Sequence, residues 1–242
     1  MSQSAKVKRI LKLLELHLGV PAQKKKKPDP LDMLVGTLLS QNTNDRNSHR
    51  AYVELRKRFP TWKKVAEAPV SSIASAIRVG GMKNQKSRRI KLLLQRVLAQ
   101  NGSYRLRGIA KMPNDDVISA LTKFDGIGFK TAACVLLFSL RRDIFPVDTH
   151  VHRICNRLGL VRTRSPEKTF LSMRPIVPMG KSYSLHTNLI RFGRKICLAR
   201  HPRCGQCPLY DECEFDEKAR FAAKDDAQLT SRNVNFMLLD EI

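Results

Sequence analysis

The sequence has no long apolar run and comparatively few acidic residues. Lys, Arg or Glu interrupts every apolar stretch, so none approaches the roughly 18 to 20 apolar residues that a membrane span requires. The 242 residues include 21 Asp and Glu against 45 Lys and Arg, which gives a formal net charge of +24 at pH 7. An excess of one sign on this scale favours a polyanionic partner. We therefore expect a protein that does not enter a membrane and that binds DNA or RNA.

The N-terminus lacks the uninterrupted apolar core of a secretory signal. Its leucines alternate with charged residues such as Lys12 and Glu15, which is the pattern of an amphipathic helix. The six cysteines are not dispersed as in a disulfide framework, because four of them lie between Cys197 and Cys213. Such clustering suits metal ligation in a reducing compartment. We predict an intracellular monomer, located in the cytoplasm or nucleoid, or in the nucleus of a eukaryotic host.

No run of residues has a convincing β-strand pattern, so the sequence predicts an all-α protein. After a first helix over 6–19, helices are predicted over residues 31–41, 45–59, 61–67, 71–79, 84–101, 115–123, 130–140, 149–158, 166–176 and 181–196. Four consecutive lysines at 24–27 mark a linker after the first helix. The predicted divisions are residues 1–30 (N-terminal helix and basic linker), 31–141 (helical domain), 142–220 (a second lobe, against which residues 1–30 pack) and 221–242 (tail).

A Gly-x-Gly turn joins two of the predicted helices in the segment Asp125-Gly-Ile-Gly-Phe-Lys-Thr-Ala132. Its two glycines permit positive φ and expose backbone N–H groups, which together with the following helix N-terminus can bind one phosphate. An ordinary turn between helices has the same pattern. The high positive charge favours nucleic-acid binding, with Gly126, Ile127 and Gly128 as contacts to the backbone of the duplex.

Two residues near this turn carry potential chemistry. Lys130 lies in the first turn of its predicted helix, where the positive end of the helix dipole favours a neutral, nucleophilic amine over a charged one. Asp148, in the segment Val147-Asp-Thr-His-Val151, precedes a helical pattern and can serve as its N-cap. From these residues alone, a solvated surface lysine and a purely structural helix cap remain open alternatives.

The clustered cysteines have the spacing C-x6-C-x2-C-x5-C, and they are Cys197, Cys204, Cys207 and Cys213. Four thiolates bind either a tetrahedral zinc ion or an iron–sulfur cluster, and the spacing alone leaves both open. A disulfide with two free thiols is the less favoured alternative in an intracellular protein. Arg200 and Arg203 lie between the first two cysteines, where a fixed loop would place their charges on a phosphate backbone.

In their order along the chain, the Gly-x-Gly segment, the Val147–Val151 segment and the cysteine cluster resemble the endonuclease III family of helix-hairpin-helix DNA glycosylases. The similarity extends from about residue 31 to residue 213. It implies a two-lobed all-α fold in which 31–141 carries the helix-hairpin-helix and 142–220 carries a C-terminal cluster loop. It further implies that the four cysteines hold a [4Fe–4S] cluster and that Lys130 and Asp148 are the catalytic residues.

The resemblance also implies an activity. The expected enzyme is a base excision repair glycosylase and abasic-site lyase that removes oxidised pyrimidines from duplex DNA, with Lys130 forming a Schiff base at the sugar C1′ before β-elimination. Its partner is double-stranded DNA that contains damaged bases or abasic sites. One alternative is a glycosylase of the same fold for mispaired or modified pyrimidines. Another is a non-catalytic DNA-binding iron–sulfur protein, against which the presence of both Lys130 and Asp148 argues.

Two loops resemble those that fill the gap left by an extruded base in this family. The stretch from Ser40 to Asp45 is similar to the family's Ser-x-Gln-x-x-Asp, with Asn42 at the position of the inserting glutamine and Gln41 one residue earlier. Met82 falls at the family's apolar wedge position, followed by Lys83. We predict that these loops contact DNA and that the basic residues Lys83, Lys86, Arg88 and Arg89 follow phosphates. Amides that only cap a helix and a core methionine are the structural alternatives.

Overall fold

The computed structural model describes residues 2–23 and 25–223. Within these ranges the chain forms α-helices and no β-strand, which confirms the predicted fold class. The helices are α1 (Gln3–Leu18), α2 (Pro30–Ser40), α3 (Asp45–Arg58), α4 (Trp62–Glu67), α5 (Val70–Ala76), α6 (Lys83–Asn101), α7 (Asn114–Thr122), α8 (Phe129–Cys134), α9 (Thr149–Arg157), α10 (Pro166–Met173), α11 (Ser182–Lys195) and α12 (Lys218–Ala222). In the same ranges, no helix combines the length and apolarity that crossing a membrane requires.

The described residues fall into two compact units, one of which is formed by residues 25–141. Helix α2 is central to it and packs against α3, α6 and α8. Nearly every side chain from Leu31 to Leu39 is buried, as expected for a helix that is apolar on all sides. The helix begins where the Asp29 carboxylate accepts a hydrogen bond from Leu31 N at 2.8 Å. Its C-terminal end leads directly into the first of the two loops predicted to insert into DNA.

The other unit consists of residues 2–23 and 142–223. In it, α1 packs against α11, and α11 packs against α9. The buried face of α1 has the spacing i, i+3, i+4, i+7 and consists of Val7, Ile10, Leu11 and Leu14. The helix ends at Gly19, which has a φ of 79° and whose carbonyl accepts a hydrogen bond from Asn188 Nδ2 at 3.0 Å. This unit provides the frame for the cysteine cluster.

The helix predicted over 130–140 differs in its second half. The α-helix ends at Cys134 and continues as a π-helical turn over Val135–Ser139, closed by a bond from Leu140 N to Val135 O at 3.0 Å. All side chains of this turn are buried, so an apolar pattern cannot distinguish the wider winding from an α-helix. At the other end of the chain, α12 crosses the predicted start of the tail at 221, and the rest of that tail lies outside the described residues.

Candidate active site and cysteine cluster

The Gly-x-Gly turn lies between α7 and α8, and its two glycines differ in backbone conformation and in surroundings. Gly126 has a φ of 78°, which favours glycine, and a Cβ there would lie only 2.8 Å from Arg89 Cδ, so the Arg89 side chain would have to move. Gly128 has a φ of −92°, so the prediction of positive φ is wrong for this residue. A Cβ on Gly128 would meet nothing within 4 Å. The protein's own packing therefore leaves the backbone at Gly128 open to an approaching ligand.

The turn is fixed from behind by side chains of neighbouring elements. Gln41 Nε2 donates to Gly126 O at 2.9 Å, and Arg89 Nε lies 3.3 Å from the Asp125 carboxylate. Ile127 is only 4% exposed, so it anchors the turn and presents only its backbone to the outside. These contacts hold the exposed backbone of the turn in one conformation, and a backbone fixed in this way loses little entropy when a ligand binds to it.

Lys130 is the second residue of α8, and its side chain is partly exposed. It makes no hydrogen bond or ion pair with the part of the chain that the structure describes. The first turn of α8 is closed behind it by bonds from Thr131 N and Ala132 N to Gly128 O, at 3.0 and 3.2 Å. The amine thus lies at a helix N-terminus, next to the Gly-x-Gly turn, and its nitrogen has no partner in the described part of the chain.

Asp148 caps α9, as the sequence predicts for its structural role. Its Oδ1 accepts a hydrogen bond from Val151 N at 2.8 Å, and the side chain is half-buried. The helix N-terminus stabilises the ionised carboxylate. Nearby, burial lowers the pKa of His150, the Asp148 charge opposes this, and Arg153 lowers it further. The Asp148 carboxylate therefore lies at the N-terminal end of α9, near a histidine whose neutral form is favoured.

The two predicted DNA-inserting loops contact each other within the unit of residues 25–141. Asn42 is exposed with a φ of 51°, Met82 is 46% exposed with a φ of 47°, and Asn42 Nδ2 lies 3.4 Å from Met82 Sδ. The alternative of a helix cap is wrong for Gln41 and Asn42, because the cap of α3 is Asn44. The alternative of a core position is wrong for the half-exposed Met82. Both side chains are therefore presented together at the surface.

The four basic residues near the start of α6 do not all lie on the protein surface. Lys83 and Arg88 are exposed. The prediction of a phosphate contact is wrong for Lys86, which is 2% exposed and donates to two backbone carbonyls. Arg89 is partly buried and bonded to Asp125. The burial of Lys86 is indicated by its spacing in the sequence, because residue 86 lies four positions before the buried Ile90 on the same face of the helix.

The four clustered cysteines line one cavity in the unit of residues 2–23 and 142–223. None of the six cysteines, all of which lie in the described ranges, forms a disulfide. Apolar side chains form much of the remaining wall, namely Ile154, Leu158, Phe192, Ile196, Pro202 and Phe215. In the described ranges, no three His, Cys, Asp or Glu side chains form a group that could hold one metal ion. The thiols instead surround a space.

Two arginines of α9, absent from the sequence predictions, support the cysteine segment. Arg157 Nη1 lies 3.4 Å from Cys197 Sγ and 2.7 Å from Leu198 O. Arg153 Nη2 donates to Cys197 O at 2.7 Å. Burial raises the pKa of the Cys207 thiol to about 12, so a bound cation is needed to keep it ionised. Four cysteines around a largely apolar cavity, with a guanidinium at its edge, are a donor set that fits an iron–sulfur cluster.

The basic loop between the first two cysteines is only partly exposed. Arg200 is exposed, whereas Arg203 is half-buried and lines the cysteine cavity. The backbone of Arg203 donates to Ile196 O at 2.9 Å, which closes the loop onto the end of α11. Of the two predicted DNA contacts in this loop, Arg200 is therefore the one with an exposed side chain.

Two family models match the chain. The model of the helix-hairpin-helix superfamily of base excision DNA repair proteins matches residues 35–179, more than half of the chain. The model of the iron–sulfur binding domain of endonuclease III matches residues 197–213, the segment that begins and ends with the first and last clustered cysteines. The choice between zinc and iron–sulfur that the spacing leaves open is thereby decided, and the cofactor of this domain is a [4Fe–4S] cluster.

Known proteins are similar over most of the chain. Endonuclease III of Thermotoga maritima is 35% identical over 190 residues, which cover 78% of this chain and 85% of that protein. A putative DNA glycosylase of Arabidopsis thaliana is 40% identical over 168 residues, covering 69% of this chain and 57% of that protein. The structure of a trapped endonuclease III–DNA covalent intermediate superimposes with a TM-score of 0.77 at 25% identity, covering 91% of this chain and 99% of the other. The chain therefore belongs to the endonuclease III family of helix-hairpin-helix base excision repair enzymes, which are DNA glycosylases with abasic-site lyase activity.

Proposed function

We propose that this enzyme removes oxidised pyrimidines from duplex DNA and then cleaves the strand, using Lys130 for both steps. The observation that carries the proposal is the position of Lys130, whose unpaired amine follows the phosphate-binding turn by two residues. We further propose that it acts as a monomer inside the cell, on DNA containing damaged bases or abasic sites. The trapped covalent intermediate of a similar endonuclease III supports a covalent route for this chain.

In the glycosylase step, the damaged nucleotide leaves the base stack and the neutral Lys130 Nζ attacks C1′ of its deoxyribose. A bond from Nζ to C1′ forms as the glycosidic C–N bond breaks, and the electron pair leaves with the base, which takes up a proton. The Asp148 carboxylate stabilises the positive charge that develops on the sugar and helps to remove a proton from the amine. The sugar is then joined covalently to Lys130.

In the lyase step, the sugar ring opens as the C1′–O4′ bond breaks, which leaves a protonated Schiff base between Lys130 Nζ and C1′. This cation acidifies the C2′ proton. Loss of that proton expels the 3′ phosphate as the C3′–O bond breaks. Water then hydrolyses the Schiff base and releases Lys130. One amine therefore accounts for both activities.

DNA binding is assigned to backbone contacts and to one basic loop. The backbone of Gly126, Ile127 and Gly128 would hold a phosphate, because it is fixed from behind and open in front. Cys197, Cys204, Cys207 and Cys213 would hold the cluster, which supplies a cross-link that fixes the loop carrying Arg200 and Arg203. A fixed loop loses little entropy when its cations contact phosphates.

The substrate proposal is tested with a panel of duplexes that differ in one base pair. Each duplex carries an oxidised pyrimidine, thymine opposite guanine or a methylated cytosine, and the reaction is run with borohydride to reduce any Schiff base. We expect the fastest release and trapping with the oxidised pyrimidine. Preference for thymine opposite guanine or for methylated cytosine would replace the substrate assignment with the alternative of the same fold.

Replacing Asp148 by Asn is expected to lower single-turnover base release by about 100-fold or more, because the developing positive charge loses its counter-charge. The fold should be retained, since Asn is as good an N-cap as Asp and can still accept from Val151 N. Thermal melting checks the fold and rapid-quench assays check the rate. An unchanged rate in a folded Asp148→Asn variant would reduce Asp148 to a structural cap.

The amide that senses the opposite base is expected to be Asn42 rather than Gln41. Asn42 is exposed, whereas Gln41 is bonded to Gly126 O. Asn42→Ala should change the ratio of rates with adenine and guanine opposite the lesion by about ten-fold. Gln41→Ala serves as the control and should weaken affinity for the abasic duplex without altering that ratio. The reverse pattern would assign the role to Gln41.

A further inference from the structure

Lys86 is a lysine whose side chain is only 2% exposed, and the proposed chemistry does not use it. Its Nζ donates to Leu39 O and to Gly80 O, both at 2.8 Å. No carboxylate in the described ranges pairs with it. Burial lowers the pKa of this amine to about 8. Burying an amine without a counter-ion costs free energy, so the presence of Lys86 in this position needs a structural or functional explanation.

The two carbonyls belong to the bases of the two DNA-inserting loops. Leu39 lies in the last turn of α2, three residues before Asn42. Gly80 ends the 3-10 helical turn Arg78–Gly80, two residues before Met82. Carbonyls at the C-terminal ends of helical segments lack partners within their own segment. A single amine therefore satisfies one such carbonyl at the base of each loop and joins the two loops below the surface.

Both loop tips have strained backbone that requires support. Asn42 and Met82 have φ angles of 51° and 47°, in the left-handed region that non-glycine residues rarely adopt. Their side chains contact each other at 3.4 Å between Asn42 Nδ2 and Met82 Sδ. The loops are thus joined at the tips by this contact and at the bases by Lys86. Such an arrangement would hold the two tips in the conformation in which they enter the duplex.

We propose that Lys86 is a positioning residue that locks the Asn42 loop and the Met82 loop into one rigid wedge for insertion into the gap left by the extruded base. The inference rests on the proposed role of these loops in DNA binding. Lys86 itself touches neither DNA nor the reacting atoms. A wedge that is ordered before binding loses less entropy on insertion, so the effect of Lys86 is on capture of lesion DNA and not on the bond-breaking steps.

The test compares Lys86→Met with Lys91→Met. Lys91 lies on the same helix and donates to Ala68 O at 2.7 Å, outside both loops. Two quantities are measured: the fluorescence of 2-aminopurine placed opposite a stable abasic-site analogue, and the separate kcat and KM values on lesion duplex. We expect Lys86→Met to raise KM about ten-fold with kcat nearly unchanged and to diminish the fluorescence change on binding. Lys91→Met should leave both at the wild-type values.

A double-mutant cycle separates positioning from general stability. In an Asn42→Ala, Met82→Ala background, adding Lys86→Met should cause no further rise in KM, because the groups that it positions are already absent. A full additional rise would overturn the inference while leaving the wedge role intact. If the Asn42→Ala, Met82→Ala variant has the wild-type KM, the proposed wedge role is wrong and the inference about Lys86 is wrong with it. If Lys86→Met does not fold, Lys86→Gln is used instead, because its side chain keeps two N–H donors on a shorter chain. It should show smaller changes of KM and fluorescence in the same direction. Wild-type values of both in Lys86→Gln would overturn the inference.

Discussion

Replacing Lys130 with Ala is expected to abolish the borohydride-trapped adduct and to lower both base release and strand cleavage by on the order of a thousand-fold or more. Both steps should fail because, in the proposed mechanism, one amine forms the covalent bond to the sugar. Affinity for a duplex with an abasic-site analogue should fall much less, since the proposed phosphate contacts come from backbone of the turn that precedes residue 130. Gel quantification of the adduct and fluorescence anisotropy measure these two properties separately.

Lys111→Ala is the matched control for this loss of charge. Lys111 is an exposed lysine in the same unit, in the 3-10 turn Ile109–Lys111, and it takes no part in the proposed site. Its removal should leave trapping, base release and cleavage at wild-type levels. Undiminished trapping by Lys130→Ala, or equal losses in the two variants, would show that the nucleophile lies elsewhere.

Replacing Cys207 with Ala is expected to cause the second largest effect, which is loss of the cluster and of the folded loop. Binding of a cluster contributes its free energy to folding, because the ligands are brought together only in the folded state. Iron content should fall close to zero, the visible thiolate-to-iron absorption should disappear, and thermal unfolding of the unit with residues 142–223 should begin at lower temperature. Affinity for DNA should decrease as the loop with Arg200 and Arg203 loses its fixed conformation.

Cys155→Ala is the control for removal of a buried thiol. Cys155 is fully buried in α9 of the same unit but does not line the cysteine cavity. The variant should keep its iron and its absorption spectrum and lose only the roughly 1 kcal/mol typical of a small cavity. A Cys207→Ala protein with wild-type iron content would remove Cys207 from the ligand set.

Several of the helices are predictable from this sequence because their start signals are local. Asp29, Asn44, Asp148 and Ser165 each precede an apolar helical pattern, and each is found as an N-cap with a side-chain hydrogen bond to the first turn. The π-helical turn after Cys134 is not predictable in this way. A fully buried stretch has no polar face from which its winding could be inferred.

The candidate site is predictable where its residues are close in the sequence, as at Gly126, Lys130 and the four cysteines. Contacts between distant segments are not, and they include the bonds of Gln41 to Gly126 and of Lys86 to Leu39. Lys86 stands among basic residues at the start of α6, and the sequence therefore predicts a surface position for it. Only its helical spacing to Ile90 indicates burial. Because lysines are rarely buried, the charge of the side chain predicts exposure more strongly than the spacing predicts burial.

Identification of the amino acid joined to DNA is the most direct test of the central claim. The enzyme is reacted with lesion duplex in borohydride, the adduct is digested with nuclease and protease, and the peptide bearing the sugar remnant is sequenced by mass spectrometry. We expect a single modified residue, Lys130. A remnant on any other amine, or rapid base release and strand cleavage without a reducible adduct, would contradict it.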